Sequence, residues 1–168
     1  MVFTVETKVR MSTAGLRTLI RTLDEAMNSV AVAGVINGDE DAYKAAVLNE
    51  FGGVGIYEDG KYAGQSVEVP RRPFISDSID RHEKEILKAG IEKIDFEKKV
   101  NFMKALDAMG KKAAELQENA LLTNGEGIPG WQKHNSPRTI ETKGFDQPLY
   151  TRHGTTFPID YEIIRKGK

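Results

Sequence analysis

The sequence predicts an α+β fold that contains one long helix. Three observations support this prediction. A strong apolar pattern with helical spacing follows Ser12, a second one continues for about twenty-five residues after Ile94, and short β-rich segments occupy residues 30–36 and 159–164. With 168 residues, 39% of them apolar, the chain is long enough for a single globular domain, 1–168, with its own core.

Composition excludes several classes of protein. The chain has no cysteine, which excludes disulfides and thiolate metal sites, and nothing indicates an oxidising compartment. Residues 1–10 have no apolar signal-peptide core, and no stretch approaches the roughly twenty apolar residues of a membrane span. We therefore expect a protein made in the cytoplasm, with no export signal and no anchor. A formal net charge of −1 gives no global attraction to nucleic acid or anionic lipid.

The N-terminal part predicts a strand, a helix and a second strand. Residues 2–9 alternate as in a short strand, and Ser12 is a suitable N-cap for a helix over residues 13–28. The apolar positions of that helix are Leu16, Leu19, Ile20, Leu23, Ala26 and Met27, with Arg17, Arg21, Asp24 and Glu25 on the far side. Residues 30–36 then predict a largely buried strand that ends at Asn37 and Gly38.

A second helix and a glycine-rich segment follow. Carboxylates at 39–41 suit a helix N-terminus, and Gly52 and Gly53 supply the left-handed backbone freedom that ends a helix, so residues 49–53 predict a helix stop near Asn49. Residues 51–64 carry five glycines, which predicts a mobile loop or a hairpin tip.

The middle of the chain predicts two more helices. Apolar spacing indicates a helix over residues 76–89 with Gly90 as its cap. Ile94 and Asp95 are expected to open the longest helix, about twenty-five residues or roughly 37 Å long. One of its faces carries lysines, which we interpret as solvated, with a basic stripe against an acidic neighbour as the functional alternative; they are Lys98, Lys99, Lys104, Lys111 and Lys112.

The last part predicts a long loop (121–157) followed by a C-terminal strand (158–164), after a helix and strand core (13–120). The loop is longer than a routine connection, which suggests a role in assembly. Within it, Ser136 and Pro137 are typical of a helix start, and Gly144 closes a short turn. The single tryptophan, Trp131, is either packed onto its own subunit or an anchor for a partner.

Two peptides are the most informative motifs. Residues 49–53 read Asn-Glu-Phe-Gly-Gly, and residues 69–74 read Val-Pro-Arg-Arg-Pro-Phe. The two prolines push Val69 and Arg72 into extended conformations, so we expect Arg71 and Arg72 to be displayed on a stiff segment. The alternative is a helix C-cap followed by an ordinary proline-rich turn.

Together the two peptides resemble a signature of bacteriophage neck proteins, the tail-completion and tail-terminator family that includes chains labelled minor capsid or virion morphogenesis. A second series extends the resemblance over about residues 30–164: Trp131, Ser136, Thr139, Ile140, Lys143, Pro148, Leu149 and Thr151 occur in the order of the family pattern. The chain departs from that pattern at residues 151–154 (Thr-Arg-His-Gly) and at Pro158.

The resemblance implies an α+β subunit with a small antiparallel sheet backed by helices, without a cofactor, that assembles as a ring of six or twelve copies in the virion. Such a ring would cap the tail tube and dock to the sheath or the head–tail connector, while DNA passes through its lumen without specific binding. Membranes are not among the expected partners. We take as candidate interface residues Glu50, Phe51, Arg71, Arg72, Phe74, Trp131, Leu149 and Tyr150. Acidic residues 39–41 could line the lumen.

Two other functions stay open. The lysines of the long helix could make the chain a nucleic-acid-binding module, although the near-neutral charge argues against it. His82 and Glu83 could belong to a small hydrolase, but there is no second histidine at helical spacing, and the wet face of a helix is the favoured interpretation. The sequence contains neither a phosphate-binding glycine loop nor a nucleophile elbow, so we predict that the chain is not an enzyme.

Overall fold

The computed structural model describes residues 13–56, 60–95, 100–132 and 134–166. The helices are α1 (Thr13–Met27), α2 (Glu40–Phe51), α3 (Ser76–Arg81), α4 (Glu83–Ile91), α5 (Phe102–Leu122) and α6 (Pro137–Lys143). The strands are β1 (Ser29–Val35), β2 (Gly53–Ile56), β3 (Ser66–Val69), β4 (Tyr150–Thr151), β5 (Gly154–Thr155) and β6 (Ile159–Arg165). The strand predicted at 2–9, its neighbour Ser12, and Lys98 and Lys99 lie outside the described residues.

The α+β fold is confirmed, and the strands within the described residues form three separate antiparallel pairs. The β1–β6 pair joins strands from opposite ends of the chain, in a register that runs from Ser29 opposite Arg165 to Val35 opposite Ile159. Both strands were predicted from the sequence. The β2–β3 and β4–β5 pairs are short local hairpins.

The long helix α5 packs across the β1–β6 pair and against α4. It approaches the sheet closely at Gly110, where a Cβ atom would lie 2.6 Å from Cδ2 of Tyr161. The predicted start at Ile94 is wrong. The helix begins at Phe102 because Oδ1 of Asn101 accepts hydrogen bonds from the backbone N–H groups of Met103 and Lys104, at 3.1 and 3.3 Å. Its 21 residues span about 31 Å.

The helix predicted for residues 76–89 is two helices that meet at His82. The carbonyl of Ser78 lies 2.9 Å from Nδ1 of His82. The His82 backbone N–H donates to the carbonyl of Ile79, three residues earlier, and this tighter turn ends α3. Gly90 was predicted to cap this helix, and that prediction is wrong. It is a buried residue inside α4. A Cβ atom there would lie 2.6 Å from Cγ of Met109, so glycine allows α4 and α5 to pack closely.

The caps predicted for α2 and α6 are confirmed. The Asp39 side chain accepts a 2.8 Å hydrogen bond from the backbone N–H of Ala42 and starts α2, which ends at Phe51 with Gly52 at φ 73°. In the long loop, Ser136 caps α6 and Gly144 closes it in the left-handed conformation. The glycine-rich segment after α2 is the β2–β3 hairpin.

The main core lies where the end of α5, α2 and the long loop meet. Its buried members are Ala46, Phe74, Ala120, Leu121, Ile128, Trp131, Leu149 and Phe157. Five of these eight residues lie in the loop predicted at 121–157, and the first of them, Leu121, belongs to the end of α5. That segment therefore contributes much of the subunit's own core.

Helix α1 has the predicted bounds within one residue, but its apolar pattern is only partly buried. Thr22 is buried and Leu19 is half-buried, whereas Leu16, Ile20, Leu23 and Met27 are exposed. The helix therefore packs on α5 and β1 by one side and leaves an apolar stripe on another. Within the described ranges, no helix is both long and apolar enough to cross a membrane.

Candidate assembly site

The two motif peptides lie side by side. The backbone N–H of Arg72 donates to the carbonyl of Asn49, and the side chain of Asn49 accepts a second hydrogen bond from the Arg72 guanidinium, at 3.1 Å. Gly52 lies against the second peptide, where a Cβ atom would be 3.2 Å from the Arg71 nitrogen and 3.4 Å from the Val69 oxygen. Its positive φ and the close approach both favour glycine. We call these contacts, with those of Glu50 below, the motif clasp.

Glu50 joins α2 to the start of α3. Its side chain is almost fully buried, and its two carboxylate oxygens accept hydrogen bonds from the backbone N–H groups of Ile75 and Ser76, both at 2.9 Å, and from the Ser76 hydroxyl. A carboxylate favours the positive end of a helix, and these donors satisfy its buried oxygens. Glu50 therefore fixes where the chain turns into α3.

Arg72 joins the second peptide to the long loop. Its guanidinium donates to Oδ1 of Asn49, to the carbonyl of Gln132 at 3.0 Å and to the carbonyl of His134 at 3.2 Å. Burial lowers the pKa of Arg72, and the nearby charge of Asp146 acts in the opposite direction. Three acceptors, one on α2 and two on the loop, thus depend on this one buried side chain.

Aromatic packing completes the clasp. Phe74 is fully buried and stacks on Phe157, with ring centroids 5.2 Å apart and planes 9° apart. Trp131 is buried beside them, and its Nε1 donates to Oδ1 of Asn124 at 3.0 Å. Its ring covers Gly125, where a Cβ atom would lie only 2.0 Å from the indole. Of the two alternatives for the tryptophan, the structure has it packed on its own subunit.

The eight candidate interface residues fall into two groups. Those buried within the subunit are Glu50, Arg72, Phe74, Trp131 and Leu149. Those with accessible side chains are Phe51, Arg71 and, partly, Tyr150. The expectation that both arginines are displayed is wrong for Arg72, because the extended backbone that the prolines impose directs its side chain to the loop carbonyls. Arg71 does point outward and forms a 3.0 Å ion pair with Asp77.

An exposed apolar surface beside the clasp was missed in the sequence. Leu48 of α2 packs against Gly53 and Gly55, so α2 covers one face of the β2–β3 hairpin. Val54 and Ile56 alternate with these glycines and are 66% and 68% exposed on the other face. The alternation Gly-Val-Gly-Ile at residues 53–56 could have predicted this surface. The glycine face of the strand lacks side chains and lets α2 approach closely, which leaves the valine and isoleucine on the opposite face. Phe51, 71% exposed, precedes the hairpin.

A groove of about 480 Å³ lies between β3 and the loop, with Arg72 and His134 in its lining. Next to it, Asp146 accepts a 2.7 Å hydrogen bond from the backbone N–H of Asn135 and lies 2.6 Å from Nδ1 of His134. The Asn135 bond, followed by that of His134, lowers the pKa of Asp146 below its ordinary value of 3.8. Burial and the charge of Arg72 lower the pKa of Lys143, which donates to the Gln147 carbonyl at 2.9 Å.

The lowered pKa of Asp146 predicts a pH effect on stability. A carboxyl whose folded pKa is depressed contributes stability that is present above its unfolded pKa and is lost as pH falls through the folded value. We expect Asp146→Asn to have a lower Tm than the wild type at pH 7, and we expect the difference to shrink as pH falls below about 4 and to be lost once pH has fallen through the lowered folded pKa. Thermal unfolding of both proteins across pH 7 to 2.5 measures it; a constant difference would contradict the assignment.

The lysine face of α5 carries charges of both signs. Lys104 and Lys111 are exposed, with Asp107 and Glu115 on the same groove. Lys112 lies 2.7 Å from the Glu85 carboxylate, and this hydrogen bond is the main reason that the pKa of Glu85 is lowered. Intermixed acids weaken the attraction of such a face for a phosphate backbone, so it gives the nucleic-acid alternative no support.

The structure gives the hydrolase alternative, His82 and Glu83, no support, and the other histidine pair it describes is also used structurally. His82 hydrogen-bonds the Ser78 carbonyl at the junction of α3 and α4, and Glu83 is exposed in the first turn of α4. His134 pairs with Asp146, but the nearby Ser136 hydroxyl accepts from the Thr139 backbone as the cap of α6. Among the residues that the structure describes, no group of three or more His, Asp or Glu side chains could hold a metal ion.

Comparisons of the chain with protein-family models, with curated proteins and with solved structures found no match.

Proposed function

We propose that this protein is a ring-forming structural subunit of a bacteriophage neck, which terminates the tail tube and connects it to the head side of the virion. The motif clasp and the exposed apolar surface beside it support the proposal. The clasp explains physically why the two resemblance peptides occur together, since each supplies the partners of the other. The surface supplies what a subunit of an assembly needs, an apolar area available to a neighbour.

Ring closure requires a rigid subunit. A ring repeats one contact between two different surfaces around an axis, and the angle between those surfaces sets the number of copies. The clasp holds α2, the 69–74 peptide, α3 and the loop to one another through hydrogen bonds of the buried side chains Glu50 and Arg72. Such bonds resist deformation because breaking them strands buried polar groups. A rigid clasp would therefore keep the angle constant from copy to copy.

The surface that carries the proposal consists of Phe51, Val54 and Ile56, and we call it the hairpin surface. All three side chains are 66–71% exposed, and none is needed for the buried core described above. Arg71 lies near the same end of the clasp and adds a charged group. In this proposal the hairpin surface contacts a neighbouring copy, with the tail tube or the head–tail connector as further partners. Passing DNA would meet a chain of net charge −1 and not be retained.

The proposal predicts assembly of the full chain on tail tubes. We expect light scattering and negative-stain imaging to show rings of six or twelve copies, either for the protein alone or at the ends of added tubes. Phe51→Glu should abolish these rings, because it places a charge in an apolar contact. The matched control is Ile91→Glu, since Ile91 is 62% exposed on α4, away from the hairpin. Failure of the wild-type protein to assemble with tubes would refute the proposal.

A further inference from the structure

Helix α1 exposes the apolar stripe that would normally face a core. Leu16, Ile20, Leu23 and Met27 are 40–72% exposed. The side that packs on the rest of the subunit instead carries Thr22, which is buried, and Thr18, Leu19 and Ala26, which are half-buried. The Thr18 and Thr22 hydroxyls are satisfied within the helix by the carbonyls of Ala14 and Thr18. The stripe is therefore separate from the face that attaches α1 to the subunit.

The spacing of the stripe is that of a coiled-coil seam. Its members follow one another at intervals of four, three and four residues, which corresponds to the heptad positions d, a, d and a. A seam of this kind matches a second helix with the same spacing. It is narrower than the apolar face of a helix buried in a core, which spans more than 100°. A helix is thus the occupant that fits this surface best.

Charges beside the stripe favour a second copy of α1 in the antiparallel direction. Arg17 and Asp24 are seven residues apart, so they lie on the same flank of the stripe, and both are exposed. In an antiparallel pair the same flanks of the two helices meet, whereas in a parallel pair opposite flanks meet. With the stripes in register, Arg17 of each copy lies within about 3 Å along the axis of Asp24 of the other. Asp24 also accepts from Asn28 at 3.2 Å, which leaves its second oxygen available.

We infer that α1 pairs with α1 of a second copy in an antiparallel two-fold contact, with Leu16 opposite Met27 and Ile20 opposite Leu23. The opposite flank of the stripe, at Leu19 and Ala26, lies toward the body of each subunit, so the Arg17–Asp24 flank is the one open to solvent. A single 15-residue helix buries far less than the roughly 1,200–2,000 Å² of a standard interface. The pair is accordingly weak, and its population rises with protein concentration.

This inference does not rest on the proposed function. The two-fold contact uses α1, whereas the ring contact uses the hairpin surface, so each can exist without the other. If both form, two rings of six would face each other through α1, which gives twelve copies with dihedral symmetry. Leu23→Glu should then remove the two-fold contact and leave single rings. Phe51→Glu should remove the ring contact and leave two-fold dimers. The failure of one proposal is thereby distinguishable from the failure of the other.

Cysteine cross-linking in the full chain tests the arrangement, and the absence of native cysteines removes the background. We expect a mixture of Leu16→Cys and Met27→Cys proteins to form disulfide dimers on mild oxidation, and each variant alone to form almost no disulfide. In the antiparallel pair, two copies of residue 16 lie about 16 Å apart along the axis, beyond the Cα separation of about 7 Å that a disulfide can bridge. Leu23→Glu introduced into both proteins should prevent the cross-link.

Charge reversal provides a second readout. Arg17→Asp or Asp24→Arg alone should raise the dissociation constant of the dimer about tenfold, because two attractive pairs become repulsive. The double reversal Arg17→Asp with Asp24→Arg should restore it, which a merely structural role of either residue would not produce. Sedimentation over a range of concentrations measures this, with circular dichroism to verify folding. Cross-linking of the single-cysteine proteins as efficient as that of the mixture, or none in the mixture, would overturn the inference.

Discussion

Phe74→Ala is expected to lower the free energy of unfolding by about 3–5 kcal/mol. Phe74 is fully buried and stacks on Phe157, so the substitution removes buried apolar surface and leaves a cavity in the main core. Whole domains are typically stable by only about 5–15 kcal/mol. The loss is therefore a large fraction of the total. Urea unfolding measures it, with the fluorescence of Trp131, the single tryptophan of the chain, as a reporter in the same cluster.

The matched control is the phenylalanine of the other motif peptide. Phe51 is 71% exposed, so Phe51→Ala should change the free energy of unfolding by no more than about 0.5 kcal/mol. The pair thus separates the two roles of the motifs, since Phe74 maintains the fold and Phe51 remains available for a contact. Equal losses for the two variants would contradict the placement of Phe51 outside the core.

Arg72→Ala is expected to cost about 3 kcal/mol of stability. The substitution leaves Oδ1 of Asn49 and the carbonyls of Gln132 and His134 without their donor. A buried acceptor that loses its donor costs about 1–3 kcal/mol, but these three hydrogen bonds are only part-buried, so water from the adjoining groove offsets part of that sum. The same urea titration provides the free energy of unfolding.

The neighbouring arginine supplies the control for this prediction. Arg71 has an exposed guanidinium whose ion pair is with Asp77, so Arg71→Ala should cost less than about 1 kcal/mol. The two substitutions have the same chemistry one residue apart and differ only in the direction of the side chain. If Arg71→Ala were the more destabilising of the two, the motif clasp would not depend on Arg72 as described.

These contrasts change the interpretation of the two motif peptides. Read in the sequence, residues 49–53 and 69–74 suggested a surface with two displayed arginines. In the structure, Asn49, Glu50 and Arg72 hold the subunit together, and a small accessible set remains for partners. The ring proposal therefore depends on Phe51 and on the hairpin residues Val54 and Ile56, of which the sequence interpretation had included only Phe51.

Features that depend on near neighbours in the chain were predictable. Asp39, Ser136 and Gly144 mark helix ends because a cap acts on backbone groups within the same turn. The alternation of Ile159, Tyr161 and Ile163 predicted a strand because side-chain parity is a property of the strand alone. The short-range chemistry of such residues is the same in any fold.

Features that depend on distant parts of the chain could not be read in this way. Gly90 was predicted to be a cap because its neighbours in the sequence do not reveal its contact with Met109 of α5, which lies nineteen residues further along the chain. The inward direction of the Arg72 side chain is set by carbonyls about sixty residues further along the chain. Which face of α1 is exposed is set by the face that packs on α5 and β1. Local sequence settles which conformations the backbone adopts, whereas burial is a property of the assembled elements, since it depends on which surfaces meet.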